Sequence, residues 1–274
     1  MDLKSKIILI SGPTASGKSK FAIQLAKKIN GEVINADSMQ IFKELKILTA
    51  RPQRNDLKNI KHHLYGFKSV KDNYSTGNWL NDAKKKINNI KKKNKIPILV
   101  GGTGLYFKAL IDGIVKIPDI PFTIRNRIRK KQSKIGQTKF YSALIKLDPL
   151  CKKKINKNDT QRSIRAYEVK KFTNKSLFDW YSETYSDFTK DSFIKLLIDY
   201  PRDKLIERIS LRTNEMLRDG AIKEAKRFYK LRIKKDLSSV SDGFSSRIFS
   251  PTEVSSSSPI TMSWLLESTI CNPS

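Results

Sequence analysis

Residues 12–19 of this chain read Gly12-Pro13-Thr14-Ala15-Ser16-Gly17-Lys18-Ser19. The octapeptide matches the phosphate-binding pattern G-x-x-x-x-G-K-[ST] at every fixed position. The aliphatic run before it, Ile7–Ile10, is long enough for a strand that is buried on both faces. Apolar residues recur at helical spacing in the segment that follows, Ser19–Ile29. The sequence therefore predicts a strand, a tight loop and a helix, which is the context that this motif requires.

The chemistry of this loop follows from its backbone. Successive amides turned inward form a concave nest for an anion, and the N-terminus of the helix adds positive potential. Gly12 and Gly17 permit backbone angles and close approaches that a Cβ atom would obstruct. Lys18 can reach a terminal phosphate, and the Ser19 hydroxyl can ligate Mg²⁺. The alternative is a chance Gly-Lys turn, but the flanking strand and helix favour a site for a polyphosphate or pyrophosphate.

A second strand end carries a carboxylate. Glu32–Ala36 reads as a short strand, and the polar segment Asp37–Gln40 follows it directly. Polar groups just past the carboxyl end of a parallel strand face the ligand crevice of an open α/β sheet. Asp37 is therefore a candidate Mg²⁺ partner or general base. The alternative is that Asp37 or Ser38 is the N-cap of a helix that begins there.

A third strand end is rich in glycine. Ile96–Val100 is a continuous apolar run that opens into Gly101–Gly104, and a helix is predicted over Phe107–Ile111. Thr103 is expected near the ligand of the phosphate-binding loop, because parallel strands end at the same edge of a sheet. Three strand-loop-helix junctions indicate an α/β fold with a P-loop NTPase-like, doubly wound parallel sheet.

The chain is predicted to have an insertion and an atypical end. Residues 1–117 form the first part of the P-loop α/β core, and residues 118–190, rich in Arg and Lys, read as a helical insertion. Residues 191–236 return to the core with a strand over Phe193–Tyr200 and two helices. Residues 237–274 lack lysine and are rich in serine, so we expect a disordered tail that is either regulatory or the product of a frameshift.

Composition limits the class of protein. The 274 residues contain no run near the ~18 apolar residues that a bilayer span requires. The first strand begins too close to Met1 for a signal peptide to precede it, so a cytoplasmic protein without a membrane partner is expected. Cys151 and Cys271 lie far apart, and the adjacent His62 and His63 lack a third ligand nearby. We therefore expect a local hydrogen-bonding role for the histidines rather than a metal site.

The charge is strongly basic. Fifty-five Lys and Arg against 26 Asp and Glu give a formal net charge of +29. Such an excess suggests a polyanionic partner, because basic side chains neutralise phosphates and release counterions. A Lys-rich coding bias would produce the same balance, so the charge supports a nucleic-acid partner without establishing it.

Five motifs, in the same order along the chain, resemble those of the tRNA dimethylallyltransferases. They are Gly12–Ser19, Asp37–Gln40, Val100–Tyr106, Asn158–Arg165 and Arg212–Gly220. The resemblance covers roughly residues 5–235. The phosphate-binding loop alone is common to many NTPases, whereas this series of motifs is specific.

The resemblance implies a reaction and roles for site residues. The dimethylallyl group of dimethylallyl diphosphate is transferred to N6 of adenine 37, beside the anticodon, in tRNAs that read codons beginning with U. In this family the loop, Gly12–Ser19, holds the prenyl diphosphate with Mg²⁺. Asp37 matches the family's general base, and Thr103 matches a residue near the reacting centre that touches the tRNA.

The resemblance also implies a tRNA-binding surface. The helical insertion would clamp the anticodon stem-loop, and a monomer is expected. The residues that match tRNA contacts of the family are Asp37, Ser38, Met39, Gln40, Thr103, Arg125, Gln161, Arg162, Ser163, Ile164 and Arg165.

Three other functions are compatible with parts of the sequence. A small-molecule kinase would use the same loop, although the only candidate for its acidic strand end is Asp37. A prenyltransferase of free adenine nucleotides would share the loop and Asp37 but would not need Gln161–Arg165. A truncated, inactive RNA-binding remnant is the third, because the serine-rich tail stands where the family continues.

Overall fold

The computed structural model describes residues 3–53, 57 and 60–231. The chain divides into two compact units, one formed by Met1–Ile111 with Phe188–Ser274 and the other by Asp112–Asp187. The helical insertion predicted over 118–190 overlaps the second unit. The predicted serine-rich tail, residues 237–274, lies outside the described residues.

The first unit is built on a five-stranded parallel sheet. Its strands are β1 (Ile7–Ser11), β2 (Gly31–Asn35), β3 (His62–His63), β4 (Ile96–Val100) and β5 (Phe193–Leu197). Their spatial order is β3-β2-β4-β1-β5, and every pairing is parallel. The predicted α/β class with a parallel sheet is confirmed. Because all strands run the same way, the loops after β1, β2 and β4 leave from one edge of the sheet.

Helices cover the sheet and form the second unit. In chain order they are α1 (Lys18–Ile29), α2 (Thr76–Lys91), α3 (Gly104–Asp112), α4 (Phe122–Leu147), α5 (Thr160–Thr173), α6 (Leu177–Tyr181), α7 (Arg202–Arg218) and α8 (Ala221–Lys230). None of the described helices is both long and apolar enough to span a membrane.

The core of the first unit is formed by the apolar strands. The burial patterns of β1, β2 and β4 are nearly continuous, as expected for strands that are covered on both faces. Ile10, Ile34 and Ile98 are fully buried, and each such side chain contributes ~1.5–3 kcal/mol relative to an exposed one. Trp79 of α2 is also fully buried, and its indole N–H donates to the Asn35 carbonyl at 2.9 Å. This bond ties α2 to the end of β2.

The second unit has its own helical core. Helices α4 and α5 pack through Phe140, Leu144 and Val169, which are all fully buried. Within the helical insertion, the sequence predicts one helical segment from Thr123 and a separate helix over Lys139–Leu147. The structure has the single span α4, with a non-helical residue, Gly136 (φ 76°), inside it. Glycine tolerates this left-handed angle, so the two predicted segments abut at a kink without an intervening loop.

Two local expectations differ from the structure. The helix that Asp37 or Ser38 would cap, which was the alternative to a site role for Asp37, is absent, since residues 38–50 form turns and bends. The strand predicted over Phe193–Tyr200 ends at Leu197, because its partner β1 ends at Ser11 and supplies no further ladder. Pro201 then stands at the N-cap of α7.

The histidine pair forms the edge strand β3 and makes local hydrogen bonds, as predicted. His62 Nδ1 lies 2.7 Å from the Ile60 carbonyl oxygen, and His63 Nε2 lies 2.7 Å from a carboxylate oxygen of Glu32. Lys95 binds the other oxygen of Glu32 at 3.0 Å. Among the described residues, no group of three His, Cys, Asp or Glu could hold a metal ion.

Candidate active site

The loop between β1 and α1 has the geometry of an anion nest. Ala15 adopts φ 60° although it is not glycine, and Gly17, the N-cap of α1, adopts φ 91°. No side chain caps the first turn of α1. The first amides of a helix have no intrahelical acceptor, so these N–H groups remain available to an anion bound at the loop.

Two side chains of the loop support the same interpretation. The Ser16 hydroxyl is buried and has no hydrogen-bond partner among the described residues. A buried unpaired hydroxyl is costly, and a phosphate oxygen would satisfy it. Lys18 Nζ donates to the Pro13 carbonyl at 2.5 Å, which folds the ammonium back over the loop. Ser19 lies in the first turn of α1, and its side chain is exposed.

The Asp37 backbone is fixed by the side chain of Asn35, the last residue of β2. The Asp37 N–H donates to Asn35 Oδ1 at 2.9 Å, and Asn35 Nδ2 donates to the Asp37 carbonyl at 2.9 Å. The same Nδ2 donates to the Leu64 carbonyl at 3.1 Å. Asn35 is fully buried, so this network holds Asp37 at a defined position beyond the sheet edge.

The Asp37–Gln40 segment and Thr103 are brought together. The Ser38 N–H donates to Thr103 Oγ1 at 3.0 Å, and the Thr103 N–H donates to the Ala36 carbonyl at 3.3 Å. The Asp37 carboxylate accepts the Met39 N–H at 2.9 Å. One oxygen of Asp37 is thus used in a local turn, and the carboxylate lies at the sheet edge that also carries the phosphate-binding loop.

Close packing beneath Asp37 depends on Gly101. A Cβ atom at Gly101 would lie 2.0 Å from the carbonyl oxygen of Ala36, which is backbone and cannot rotate away. At Gly102 a Cβ atom would meet nothing within 4 Å. The ends of β2 and β4 therefore approach each other as closely as they do only because residue 101 lacks a side chain.

Gly101→Ala is expected to destabilise the protein and impair the site. Separating the strand ends to relieve the overlap costs about 3 kcal/mol of unfolding free energy, at the upper end for an overpacked core. Urea denaturation measures this loss, with Gly102→Ala as the matched control that leaves the unfolding free energy unchanged. Equal midpoints for the two variants would contradict the account.

Cationic side chains surround the Asp37 carboxylate. Burial lowers the pKa of the Lys18 ammonium to about 8, the charge of Asp37 opposes this shift, and the charge of Arg212 adds to it. Burial also lowers the pKa of Arg212, and again the Asp37 charge acts in the opposite direction. These mutual effects place Lys18, Asp37 and Arg212 within electrostatic reach of one another.

Two aromatic side chains face the same carboxylate. Burial raises the pKa of Tyr106, and the negative charge of Asp37 raises it further. The pKa of Tyr65 is raised by the same two causes. Tyr106 stacks on Trp79 with ring centroids 4.1 Å apart and planes inclined by 11°. The stacked pair of Trp79 and Tyr106 therefore lies within electrostatic reach of Asp37.

Arg212 is a site residue that sequence reasoning missed. It begins a motif quoted for the family resemblance, Arg212–Gly220, but was given no role. Arg208 lies one helical turn earlier on α7, so the two guanidiniums share a face of that helix. A Cβ atom at Gly17 would lie 3.7 Å from Arg208 Nη2, which places Arg208 against the phosphate-binding loop. The four-residue spacing of these arginines was the available signal.

Comparison with known proteins assigns a family to this arrangement. The family model for IPP transferase matches residues 40–246. The tRNA dimethylallyltransferase of Pelagibacter ubique is 63% identical over 238 residues, which cover 87% of this chain and 76% of that protein. The chain belongs to the IPP transferase family. The resemblance inferred from the five motifs is therefore confirmed.

Other relatives and solved structures agree with this assignment. The tRNA dimethylallyltransferase of Rickettsia bellii is 42% identical over 222 residues, 81% of this chain and 70% of that protein. A eukaryotic dimethylallyltransferase acting on tRNA superposes with a TM-score of 0.73 at 28% identity, covering 97% of this chain and 65% of that one. The tRNA isopentenylpyrophosphate transferase of Bacillus halodurans superposes with a TM-score of 0.63 at 30% identity, over 97% and 83% of the two chains.

The second unit of this IPP transferase carries the remaining residues expected at the tRNA. Gln161 and Arg162 are exposed at the first turn of α5, where the Asp159 carboxylate accepts the Arg162 N–H at 2.9 Å.

Ser163 is fully buried and donates its hydroxyl proton to the Asp159 carbonyl, and Ile164 packs in the helical core. Of the segment 161–165, the structure therefore exposes the side chains of Gln161 and Arg162, leaves Arg165 partly buried, and turns Ser163 and Ile164 inward.

A buried carboxylate organises the arginines of this unit. Glu168 of α5 is 3% exposed, and it pairs with Arg129 Nε at 3.6 Å and with Arg165 Nη1 at 3.7 Å. Burial lowers the pKa of Arg165, the charge of Glu168 opposes this shift, and the positive charge of Arg125 adds to it. Arg125 Nε is itself buried without a hydrogen-bond partner among the described residues. Arg125 and Arg165, both predicted tRNA contacts, thus lie within electrostatic reach of each other, and Arg165 pairs with Glu168.

Proposed function

We propose that this IPP transferase moves the dimethylallyl group of dimethylallyl diphosphate to N6 of adenine 37 in tRNA. The observation that carries the proposal is a carboxylate, Asp37, held at the same sheet edge as an anion-binding loop and within reach of Lys18 and Arg212. The reaction needs those groups together, because a diphosphate must leave while a nitrogen loses a proton. The names of the relatives give tRNA and the dimethylallyl group, and the resemblance of the motifs gives the diphosphate donor and adenine 37.

The phosphate-binding loop would hold the diphosphate. The unpaired Ser16 hydroxyl, the uncapped amides of α1 and the charges of Lys18 and Arg212 are suited to its oxygens. The remaining residues of Gly12–Ser19, namely Gly12, Pro13, Thr14, Ala15 and Gly17, would shape the backbone of the nest. Together these groups would stabilise the charge that accumulates on the leaving diphosphate.

Mg²⁺ is the proposed cofactor. The loop offers the Ser19 hydroxyl as a ligand, and the described residues lack a ligand cluster of their own. This donor set fits Mg²⁺, which keeps several waters and binds substrate phosphates rather than an all-protein cage. When bound, Mg²⁺ would neutralise negative charge on the diphosphate.

Asp37 would act as the general base. As N6 of adenine attacks the allylic carbon, a C–N bond forms, the C–O bond breaks, and the electron pair leaves with the diphosphate. The proton released from N6 passes to the free oxygen of the Asp37 carboxylate, since the other oxygen holds the Met39 N–H. Thr103 would keep the segment in place through its bond to Ser38.

The acceptor would be bound by both polar loops and basic side chains. Asp37–Gln40 and Thr103 would contact the extruded base, because chemistry on a base requires its removal from the stack. Arg125, Gln161, Arg162 and Arg165 would contact the tRNA backbone, where positive charge gives affinity rather than sequence selectivity. In this proposal Ser163 and Ile164 support α5 from inside the unit. A monomeric state and a cytoplasmic location stay predictions.

Transfer of label tests the proposed function. The purified chain is incubated with radiolabelled dimethylallyl diphosphate, Mg²⁺ and either unmodified tRNA or free adenosine monophosphate. Label in tRNA alone is the expected result. Label in the free nucleotide would indicate a nucleotide prenyltransferase, and binding of both substrates without transfer would indicate an inactive remnant. In a parallel incubation with ATP in place of dimethylallyl diphosphate, transfer of a phosphoryl group to a small molecule would indicate a kinase.

The rate is expected to fall at alkaline pH because of Lys18. Its pKa is about 8 in the free protein, so the ammonium is charged below that pH and becomes neutral as the pH rises through it. The value of kcat/KM for dimethylallyl diphosphate, which reports groups of the free enzyme, should therefore decline above pH 8. Lys18→Arg keeps the charge at all these pH values and should remove the decline, whereas Lys20→Arg should not. An unchanged profile in Lys18→Arg would contradict the assignment.

A further inference from the structure

Glu224 of α8 is a buried carboxylate that the proposed reaction does not use. It is 6% exposed, and its oxygens accept three hydrogen bonds from two consecutive backbone amides. Oε1 accepts the Ile47 N–H at 2.9 Å and the Leu48 N–H at 2.9 Å, and Oε2 accepts the Ile47 N–H at 3.0 Å. These residues are separated from Glu224 by 177 and 176 positions, so helix α8 is joined to a remote loop.

The loop that Glu224 holds is bonded in turn to the acceptor-binding segment. Gln40 Nε2 donates to the Thr49 carbonyl at 2.9 Å and to the Ala50 carbonyl at 3.4 Å. The Ala50 N–H donates back to the Ile47 carbonyl at 2.8 Å. A continuous series of hydrogen bonds therefore runs from the Glu224 carboxylate through residues 47–50 to Gln40, three residues from Asp37.

Polar anchoring matters here because packing between α8 and the loop is incomplete. A cavity of about 640 Å³ lies between them among the described residues, lined by Lys46, Ile47, Glu224 and Phe228 with six others. The hydrogen bonds to Glu224 therefore link α8 directly to residues 47 and 48 beside this open space. Charge-assisted hydrogen bonds from backbone amides to a carboxylate are about twice as strong as neutral ones.

The loop also supplies a counter-charge for Glu224. Burial lowers the pKa of Arg51, and the negative charges of Glu224 and Glu44 act in the opposite direction. Arg51 Nη1 donates to the Phe42 carbonyl at 2.9 Å, and its guanidinium covers Gly66 so closely that a Cβ atom there would overlap it. The Gly66 N–H donates to the Gln40 carbonyl at 2.9 Å. Both the side chain and the backbone of Gln40 are thus bonded within the same network.

We propose that Glu224 is a positioning residue that fixes the loop 46–51 and, through Gln40, the acceptor-binding segment Asp37–Gln40. The inference rests on the proposed function for the identity of the acceptor, tRNA. It assigns Glu224 no contact with either substrate. Its loss should therefore weaken the productive alignment of the acceptor and leave the diphosphate site intact.

Three variants of the full chain separate this role from a general loss of fold. Glu224→Ala removes all three acceptor bonds. Glu224→Gln retains an oxygen that can accept from both amides but loses the charge. Glu207→Gln, at an exposed position of α7, is the matched control for loss of a carboxylate. Hydrogen exchange of the Ile47 and Leu48 amides reports the anchoring directly, without reference to activity.

The kinetic result should be specific to the acceptor. For Glu224→Ala we expect kcat/KM for tRNA to fall ~10–100-fold, as for other displacements of a reacting group by about an ångström. The KM for dimethylallyl diphosphate should be unchanged, and Glu224→Gln should lie between the alanine variant and the wild type. Hydrogen exchange of the Ile47 and Leu48 amides should be slowest in the wild type, faster in Glu224→Gln and fastest in Glu224→Ala.

Each outcome decides one of the two proposals. If the wild type transfers label and Glu224→Ala matches Glu207→Gln in tRNA kinetics, the positioning role is overturned. If kcat/KM of Glu224→Ala falls equally for tRNA and for dimethylallyl diphosphate, the role of Glu224 is structural only. A wild type without transfer activity overturns the proposed function instead. Hydrogen exchange of the Ile47 and Leu48 amides still tests the anchoring in that case. Faster exchange in Glu224→Ala supports the anchoring by Glu224, and unchanged exchange overturns it.

Discussion

Replacing Asp37 by asparagine is expected to lower kcat for dimethylallyl transfer by ~10²–10⁴-fold, the usual contribution of a general base. Asparagine has nearly the same shape, and its Oδ1 can still accept the Met39 N–H that Asp37 now accepts at 2.9 Å. The Asn35 network that holds the backbone of residue 37 is also kept. The variant therefore removes the proton acceptor and little else.

Binding of the diphosphate should survive this change. Asp37 is a negative charge within reach of Lys18 and Arg212, so removing it leaves both cations free for the substrate. Single-turnover transfer and equilibrium binding of dimethylallyl diphosphate measure the two effects separately. Asp72→Asn is the matched control, because that carboxylate accepts a backbone N–H in an exposed turn away from the site. Retention of more than a tenth of the wild-type rate in Asp37→Asn would contradict the general-base role.

Replacing Arg212 by alanine is expected to lower kcat/KM for dimethylallyl diphosphate by ~10²–10³-fold, as for loss of one preorganised donor to a developing oxyanion. The guanidinium is partly buried within electrostatic reach of Lys18 and Asp37, where its charge is less screened than on the open surface. Arg212→Lys should recover part of the loss, since an ammonium restores the charge but not the planar, bidentate donor set.

A second measurement distinguishes Arg212 from a merely structural arginine. Its positive charge contributes to the lowered pKa of Lys18, so Arg212→Ala should move the alkaline decline of kcat/KM to higher pH. Arg218→Ala, on an exposed part of the same helix, should change neither the rate nor the pH profile. If the Arg212 and Arg218 variants behave alike, the assignment of Arg212 to the diphosphate site is wrong.

Local patterns were sufficient for much of the α/β unit. The strand predicted over Ile96–Val100 has those bounds in the structure, and β1 extends one residue beyond the predicted Ile7–Ile10. Both are short apolar runs flanked by polar or glycine-rich segments, so neighbouring residues alone determine them. Helix α1 likewise begins within one residue of its predicted start, because Gly17 and the apolar spacing after it are local signals.

The segment after β2 was harder to predict, because its conformation depends on remote partners. A polar residue after a strand resembles a helix N-cap, yet residues 38–50 form turns. Their backbone groups are satisfied by Thr103 and Glu224, which lie 65 and 176–177 positions away in sequence. Local preference for a helix was overridden by these tertiary hydrogen bonds.

Three features were predictable from the sequence alone: the phosphate-binding loop, the parallel α/β sheet and the motifs of the IPP transferase family. Each depends on residues that are adjacent or regularly spaced, and on chemistry that those residue types carry in any surroundings. Which charged side chains lie close together follows from the tertiary fold. Arg212 reaches Asp37 because β5 pairs with β1 and directs α7 back to the loop, and Glu224 reaches Ile47 because α8 follows α7. Contacts of this kind depend on chain topology. Residues that are far apart in the chain but interact by charge or by a hydrogen bond produce no periodic pattern in the sequence.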